Sequence, residues 1–114
     1  MLEHSVEYYP ASFGGFFNVS GMTFSYDPSQ PGGSRVKEIF VGGTPLDESK
    51  IYTIALTDFH LAGGDGYDML KDLKITGQFG TCDEIFIKYL NQVGMKDYAV
   101  GRITRLKEVL IPDE

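Results

Sequence analysis

Thr57-Asp58-Phe59-His60-Leu61-Ala62-Gly63-Gly64-Asp65-Gly66-Tyr67 is the stretch on which the reading of this chain turns. It follows directly on residues 51–56, where Ile51, Tyr52, Ile54 and Leu56 put apolar side chains on both faces of an extended segment. That pattern predicts a central, covered strand. Loops at the ends of covered strands are where rigid scaffolds place functional groups. Three glycines around one aspartate let the backbone approach a ligand closely. Two readings stay open on these residues. In the first, a flat ring stacks on Phe59, polar groups are held by Asp65, Gly63 and Gly64 bring the backbone near, and His60 stands beside the ligand. In the second, the segment is an ordinary glycine-rich turn with Phe59 in the core and Asp65 capping a backbone N–H. A phosphate cradle fits poorly. The Gly-x-x-x-x-Gly-Lys-Ser/Thr pattern is missing, no lysine follows before Lys71, and a central carboxylate repels an anion. Sugar hydroxyls suit the loop better.

Working outward, residues 16–26 read as a strand whose apolar alternation changes phase midway, with Phe17 and Val19 odd and Met22, Phe24 and Tyr26 even. A bulge at Ser20-Gly21 accounts for the flip. Residues 27–34, dense in Pro, Gly and Ser, form a turn, and residues 35–41 return as the second strand of a long hairpin. Residues 42–45 turn again. Residues 2–9 read as a short helix or the tail of one, stopped by Pro10, so the domain is expected to be truncated at its N-terminus. Residues 68–73 suggest a short helical turn. The best helix is 82–93: Thr81 and Glu84 make a capping box, Phe86, Tyr89, Leu90 and Val93 form one apolar stripe, and Gly94 ends it. Residues 101–106 make a final strand, and residues 112–114 a tail. The expected fold class is α+β, a mostly antiparallel sheet with one long C-terminal helix.

Composition narrows the partners. The chain of 114 residues suits one domain, and 42% hydrophobic with 23% charged residues is ordinary for a globular core. A net charge of −6 with no basic cluster argues against a nucleic-acid polymer or an anionic membrane. No apolar run is long enough for a membrane span. No signal peptide is visible at Met1-Leu2-Glu3-His4. Cys82 is the only cysteine, so no intrachain disulfide forms, and it is expected half-buried and inert. With two histidines at no ligand spacing, no metal site is expected. Asn18-Val19-Ser20 is a glycosylation triplet, but its place in a predicted strand argues against use. Arg35, Arg102 and Arg105 are expected on strand surfaces.

Phe59 through Tyr67 resembles the hallmark of the 5'-nucleotidase C-terminal domain family, roughly Asn-Phe-x-x-x-Gly-Gly-Asp-Gly-Tyr/Phe, with Asp58 where the family has Asn. Residues 14–21, Gly14-Gly15-Phe16-Phe17-Asn18-Val19-Ser20-Gly21, resemble its Gly-x-Phe-x-Gln-Val-Ser-Gly segment. Tyr26-Asp27, Gly33-Ser34-Arg35-Val36, and Pro45-Leu46-Asp47 with Lys50 and Tyr52 follow in the family's order. The similarity runs over residues 2–106.

The resemblance implies the substrate-recognition part of a phosphoester hydrolase. In that family this domain holds the nucleoside, and a separate N-terminal metallophosphatase domain holds two divalent metals. The base is sandwiched between two Phe rings, and an Asp binds the ribose hydroxyls. By position Phe59 is the second ring, Asp65 the ribose carboxylate, and Gly14 lies near the base. The first ring, the phosphate-binding arginines and the metal ligands match nothing here. The resemblance therefore implies no catalytic residue, no metal ligand and no cofactor in this chain. It implies a nucleoside or nucleotide partner, the metallophosphatase domain as second partner, and a periplasmic, cell-surface or secreted location. Nucleoside monophosphates, 2',3'-cyclic nucleotides, nucleotide sugars and NAD all remain open as substrates. A stand-alone weak nucleoside-binding module and a ligand-free interaction piece, dimerising through surface bared by truncation, are the alternatives.

Overall fold

Phe24 and Tyr26 alternate along Met22–Tyr26, and both are buried, at 2% and 4% exposure. A computed structural model describes residues 1–95 and 101–106 of the chain. Its elements in order are helix α1 (Leu2–Val6), strands β1 (Met22–Tyr26), β2 (Val36–Val41) and β3 (Thr44–Pro45), helix α2 (Asp58–Leu61), two 3-10 turns (Gly64–Gly66 and Asp68–Leu70), helix α3 (Cys82–Val93) and strand β4 (Ile103–Arg105). They fall into two compact units. One holds residues 1–54 and the described residues 101–106, and the other the described residues 55–95.

The first unit is a four-stranded sheet in the order β3-β2-β1-β4, with α1 on it. β1 pairs antiparallel with β2, and β2 antiparallel with β3. β4 runs parallel to β1, so the sheet is mixed, within the expected α+β class. Gly42 and Gly43 both take positive φ, 61° and 81°, which a two-residue hairpin turn of the primed kind requires. That lets Val41 face Thr44, so residues 44–45 are a short strand and not part of the turn. Leu2, Val6, Phe24 and Tyr26 make the buried core, with Met1, Tyr9, Phe16, Val19, Met22, Val36, Ile39 and Ile103 packed round it. Ser25, between Phe24 and Tyr26 on the strand, is also buried, and its Oγ accepts the Glu38 N–H at 3.2 Å.

Polar tethers hold α1 to the hairpin. The Glu3 carboxylate accepts the backbone N–H of Arg35 at 3.0 Å and that of Val36. In return Arg35 Nη1 lies 2.9, 3.0 and 2.7 Å from the carbonyls of Val6, Glu7 and Tyr9. A helix end leaves its last carbonyls without intrahelical partners, and the guanidinium satisfies them here. Arg35 is thus a helix cap and not a strand-surface residue. Arg102 donates to the Val19 carbonyl at 3.0 Å, and Arg105 donates to the Tyr9 hydroxyl.

Several expectations need correction. The first helix ends at Val6 and not near residue 9. Residues 16–21 are not extended into the sheet. The Phe17 N–H is taken by Ser5 Oγ at 2.6 Å, which removes it from any strand ladder. Asn18 is accordingly outside any strand. The register shift lies between Phe24 and Tyr26, and Gly21, at φ 78°, sits just ahead of β1. Residues 51–56 form no strand, and Ile51 is 93% exposed. Apolar character alone does not make a strand where no partner offers a ladder. Cys82 is exposed, not half-buried. The expected tail at 112–114 lies outside the described residues.

In the second unit, α3 keeps the expected bounds. Thr81 and Glu84 form the capping box, and Gly94 ends the helix at φ 70°. None of its residues is buried, and Ile85, Phe86, Ile87 and Tyr89 are all exposed. Tyr67 and Leu70 are the buried side chains of this unit.

Candidate functional site

Thr57 opens the site. Its backbone is extended and its Oγ1 accepts the His60 N–H at 3.4 Å, so it caps the single helical turn α2. Phe59 therefore stands on a helical turn, not on a loop leaving a strand. Gly63 follows in the left-handed region, φ 92° and ψ 13°, which glycine enters without strain. Asp65 is also left-handed, φ 56° and ψ 24°, and is the one non-glycine residue with positive φ among the described residues. Asp tolerates that region better than most side chains because its short polar group bonds locally. Gly66, at φ 80°, completes the bend.

This backbone sets five side chains against each other. Phe59 is 57% exposed, so the core placement of its ring is ruled out. Gly64 lies beneath it: a Cβ built there would stand 2.5 Å from Phe59 Cε1. His60 meets Phe59 edge-on, with centroids 5.1 Å apart at 71°, and Tyr67 likewise at 5.5 Å and 90°. His60 Nε2 lies 3.0 Å from Asp65 Oδ2, and His60 Nδ1 lies 2.8 Å from Thr57 Oγ1. The Asp65 side chain keeps about a third of its surface, 33%, in contact with solvent. Lys71 Nζ pairs with Asp68 Oδ1 at 3.1 Å, and Gly63 lies so near the Lys71 stem that a Cβ would meet Cε at 2.4 Å.

Phe59, Gly63, Gly64 and Asp65 all lie in the second unit, on α2 and the turn that follows it. Gly14 belongs to the first unit, where it has open space around its Cα. Thr57 and His60 carry more of the geometry than their sequence context suggests. The Thr-x-x-His spacing at a helix start was the available signal. A hollow of about 410 Å³ bounded by Phe79, Gly80, Glu84, Ile85 and Lys88 includes none of these residues.

The chemistry this arrangement can perform is recognition. An exposed ring offers a flat apolar face, and beside it a fixed carboxylate accepts hydrogen bonds from hydroxyls. Among the described residues no group of three or more His, Cys, Asp or Glu converges as metal ligands would. No helix among them is long and apolar enough to cross a membrane.

Comparison with known proteins agrees in one direction. Residues 1–72 match the family model described as 5'-nucleotidase, C-terminal domain. A 5'-nucleotidase of Bos taurus is 38% identical over 111 aligned residues, covering 89% of this chain and 19% of that protein. A snake venom 5'-nucleotidase of Crotalus adamanteus is 37% identical over 101 residues, covering 81% of this chain and 17% of that protein. The crystal structure of a 5'-nucleotidase precursor from Thermus thermophilus superposes with a TM-score of 0.81 at 32% identity, over 95% of this chain and 23% of that one. The chain spans about a fifth of the length of the curated relatives it matches.

Proposed function

This chain belongs to the 5'-nucleotidase C-terminal domain family, and from that premise we propose that it is the nucleoside-recognition part of a phosphoester hydrolase. The base stacks on Phe59, the Asp65 carboxylate accepts hydrogen bonds from the ribose hydroxyls, and Gly63 and Gly64 bring the backbone close. The observation that carries this reading is the exposed Phe59 ring lying over Gly64, with Asp65 held beside it through His60.

The phosphoryl chemistry is assigned to a separate N-terminal metallophosphatase domain. Two divalent metals, as the family implies, would activate water and clamp phosphoryl oxygens. The described residues of this chain do not fit them, since His60 and Asp65 pair with each other and gather no third ligand. Every step derived for this chain is therefore binding and orientation. The location proposed is outside the cytoplasm, in the periplasm, at the cell surface or secreted, and the venom relatives support it.

The expected strength is low. One stacking contact contributes ~1–3 kcal/mol, a charged hydrogen bond roughly 1.5–3 kcal/mol, and association costs ~4 kcal/mol or more. Adenosine should bind this chain with a dissociation constant of about a millimolar or weaker. Titrating adenosine while following amide resonances tests it. Movement centred on Phe59, Gly64 and Asp65 is expected, and a titration that leaves these three still rejects the reading.

The bare apolar side chains of α3 favour a second property. Ile85, Phe86, Ile87 and Tyr89 are exposed on one short helix, and such surface promotes self-association. Sedimentation at rising concentration should show a homodimer of this chain. A monomer throughout the range counts against it.

A further inference from the structure

His60 is held from three sides. Its Nδ1 faces the Thr57 hydroxyl at 2.8 Å, its Nε2 faces Asp65 Oδ2 at 3.0 Å, and its ring lies edge-on between Phe59 and Tyr67. The side chain is only 19% exposed. A carboxylate can only accept, so Nε2 carries the hydrogen that joins the two groups. Thr57 is itself fixed, because the same oxygen caps α2. The imidazole is thus anchored at one nitrogen and points the other at Asp65.

Asp65 needs such a support. It sits in a left-handed backbone conformation between Gly64 and Gly66, which have no side chains to pack against it. A carboxylate on a glycine bend loses rotamer freedom when a ligand orders it, and prior anchoring removes that cost. Phe59 meets the same ring only edge-on, at 5.1 Å between centroids, and lies against Gly64 instead, so its stacking face does not depend on the imidazole.

We propose that His60 is the positioning residue of the nucleoside site: bridged to Thr57, it orients the Asp65 carboxylate toward a pair of vicinal hydroxyls. This rests on the functional reading above. It does not make His60 a ligand contact. Its effect passes through Asp65, so it governs discrimination between ligands with and without ribose hydroxyls and leaves ring stacking alone.

The test compares adenosine with 2',3'-dideoxyadenosine, using amide-shift titrations of this chain and its variants. The wild-type chain should prefer adenosine. His60→Leu should weaken adenosine about fivefold, the scale of coupling between residues in contact, while dideoxyadenosine binding stays the same. Combining His60→Leu with Asp65→Asn should cost little beyond Asp65→Asn alone. His60→Gln, whose terminal amide N–H reaches where Nε2–H donates, should restore the preference. His60→Asn, whose amide reaches only the Nδ1 position, should not. That polar pair decides the matter even if the leucine variant unfolds. A wild-type chain that binds neither ligand, or both equally, overturns the functional reading and this proposal together. A wild-type preference that survives unchanged in His60→Asn and His60→Leu overturns this proposal alone.

Discussion

The Phe59 ring lies against the backbone of Gly64 so closely that a Cβ at position 64 would come within 2.5–2.6 Å of three ring carbons. Gly64 is not among the positive-φ glycines, so alanine is acceptable to the backbone there. The added methyl must displace the ring, and the ring is exposed enough to swing away. Gly64→Ala should therefore leave stability within about 1 kcal/mol of the parent. It should shift the Phe59 ring resonances and weaken adenosine binding. A variant with displaced ring signals and undiminished binding would separate Phe59 from recognition.

Asp65 separates charge from backbone strain. In its left-handed conformation asparagine is tolerated nearly as well, whereas alanine costs roughly 1–2 kcal/mol. Asp65→Asn should keep the denaturation midpoint and lose the preference for ribose hydroxyls. Asp65→Ala should lose both. Urea denaturation and the adenosine titration measure the two effects independently. Equal loss of stability in both variants would show that the carboxylate, not the backbone angle, carries the structural load.

On residue types alone the stretch from Phe59 to Asp65 stayed open between a ligand site and an ordinary glycine-rich turn, and the resemblance to the family supplied the roles; the exposure of the Phe59 ring and the contact of His60 with Asp65 were not legible at all. The place of His60 depends on the turn of α2 and the bend after it, which bring Thr57 and Asp65 onto its imidazole. An ordinary glycine-rich turn drawn through this stretch hides that. The same division runs through the fold. The α3 bounds were readable because Thr81, Glu84 and Gly94 are local signals. Residues 51–56 misled because a strand is made by its partner, and side-chain periodicity names no partner. The parallel pairing of Phe24 with Ile103 spans most of the chain, and no local pattern announces it.

Arg35 joins three segments through one guanidinium. Nη1 reaches the carbonyls that close α1, and Nε donates to the Gln30 carbonyl at 2.8 Å. Arg35→Ala should leave those carbonyls short of partners and destabilise the first unit by about 2–3 kcal/mol, the scale of charged hydrogen bonds. Arg35→Lys should recover only part, since a point ammonium cannot span both the helix end and Gln30. Hydrogen exchange should locate the loss in residues 2–9 and leave 82–93 unchanged. Uniform loss would mean that Arg35 is not a local clamp.

Tyr26 makes the first unit sensitive to base. It is 4% exposed, with Tyr9 and Phe16 edge-on to its ring at 5.6 and 6.2 Å. Burial raises its phenol above the ordinary tyrosine value of 10.0, and Tyr9 adds to the rise, while Arg105 and Arg35 oppose it. The folded chain therefore keeps a proton that the unfolded chain has already lost above pH 10. Stability from this group is full below that pH and falls as pH climbs through the raised native value. Tyrosinate absorbance followed with circular dichroism should show one tyrosine ionising late, together with loss of the sheet. Tyr26→Phe should remove the late step and flatten the decline in stability above pH 10. If the late tyrosinate persists in that variant, burial at Tyr26 is not its origin, and the coupling of this core to pH must come from another phenol.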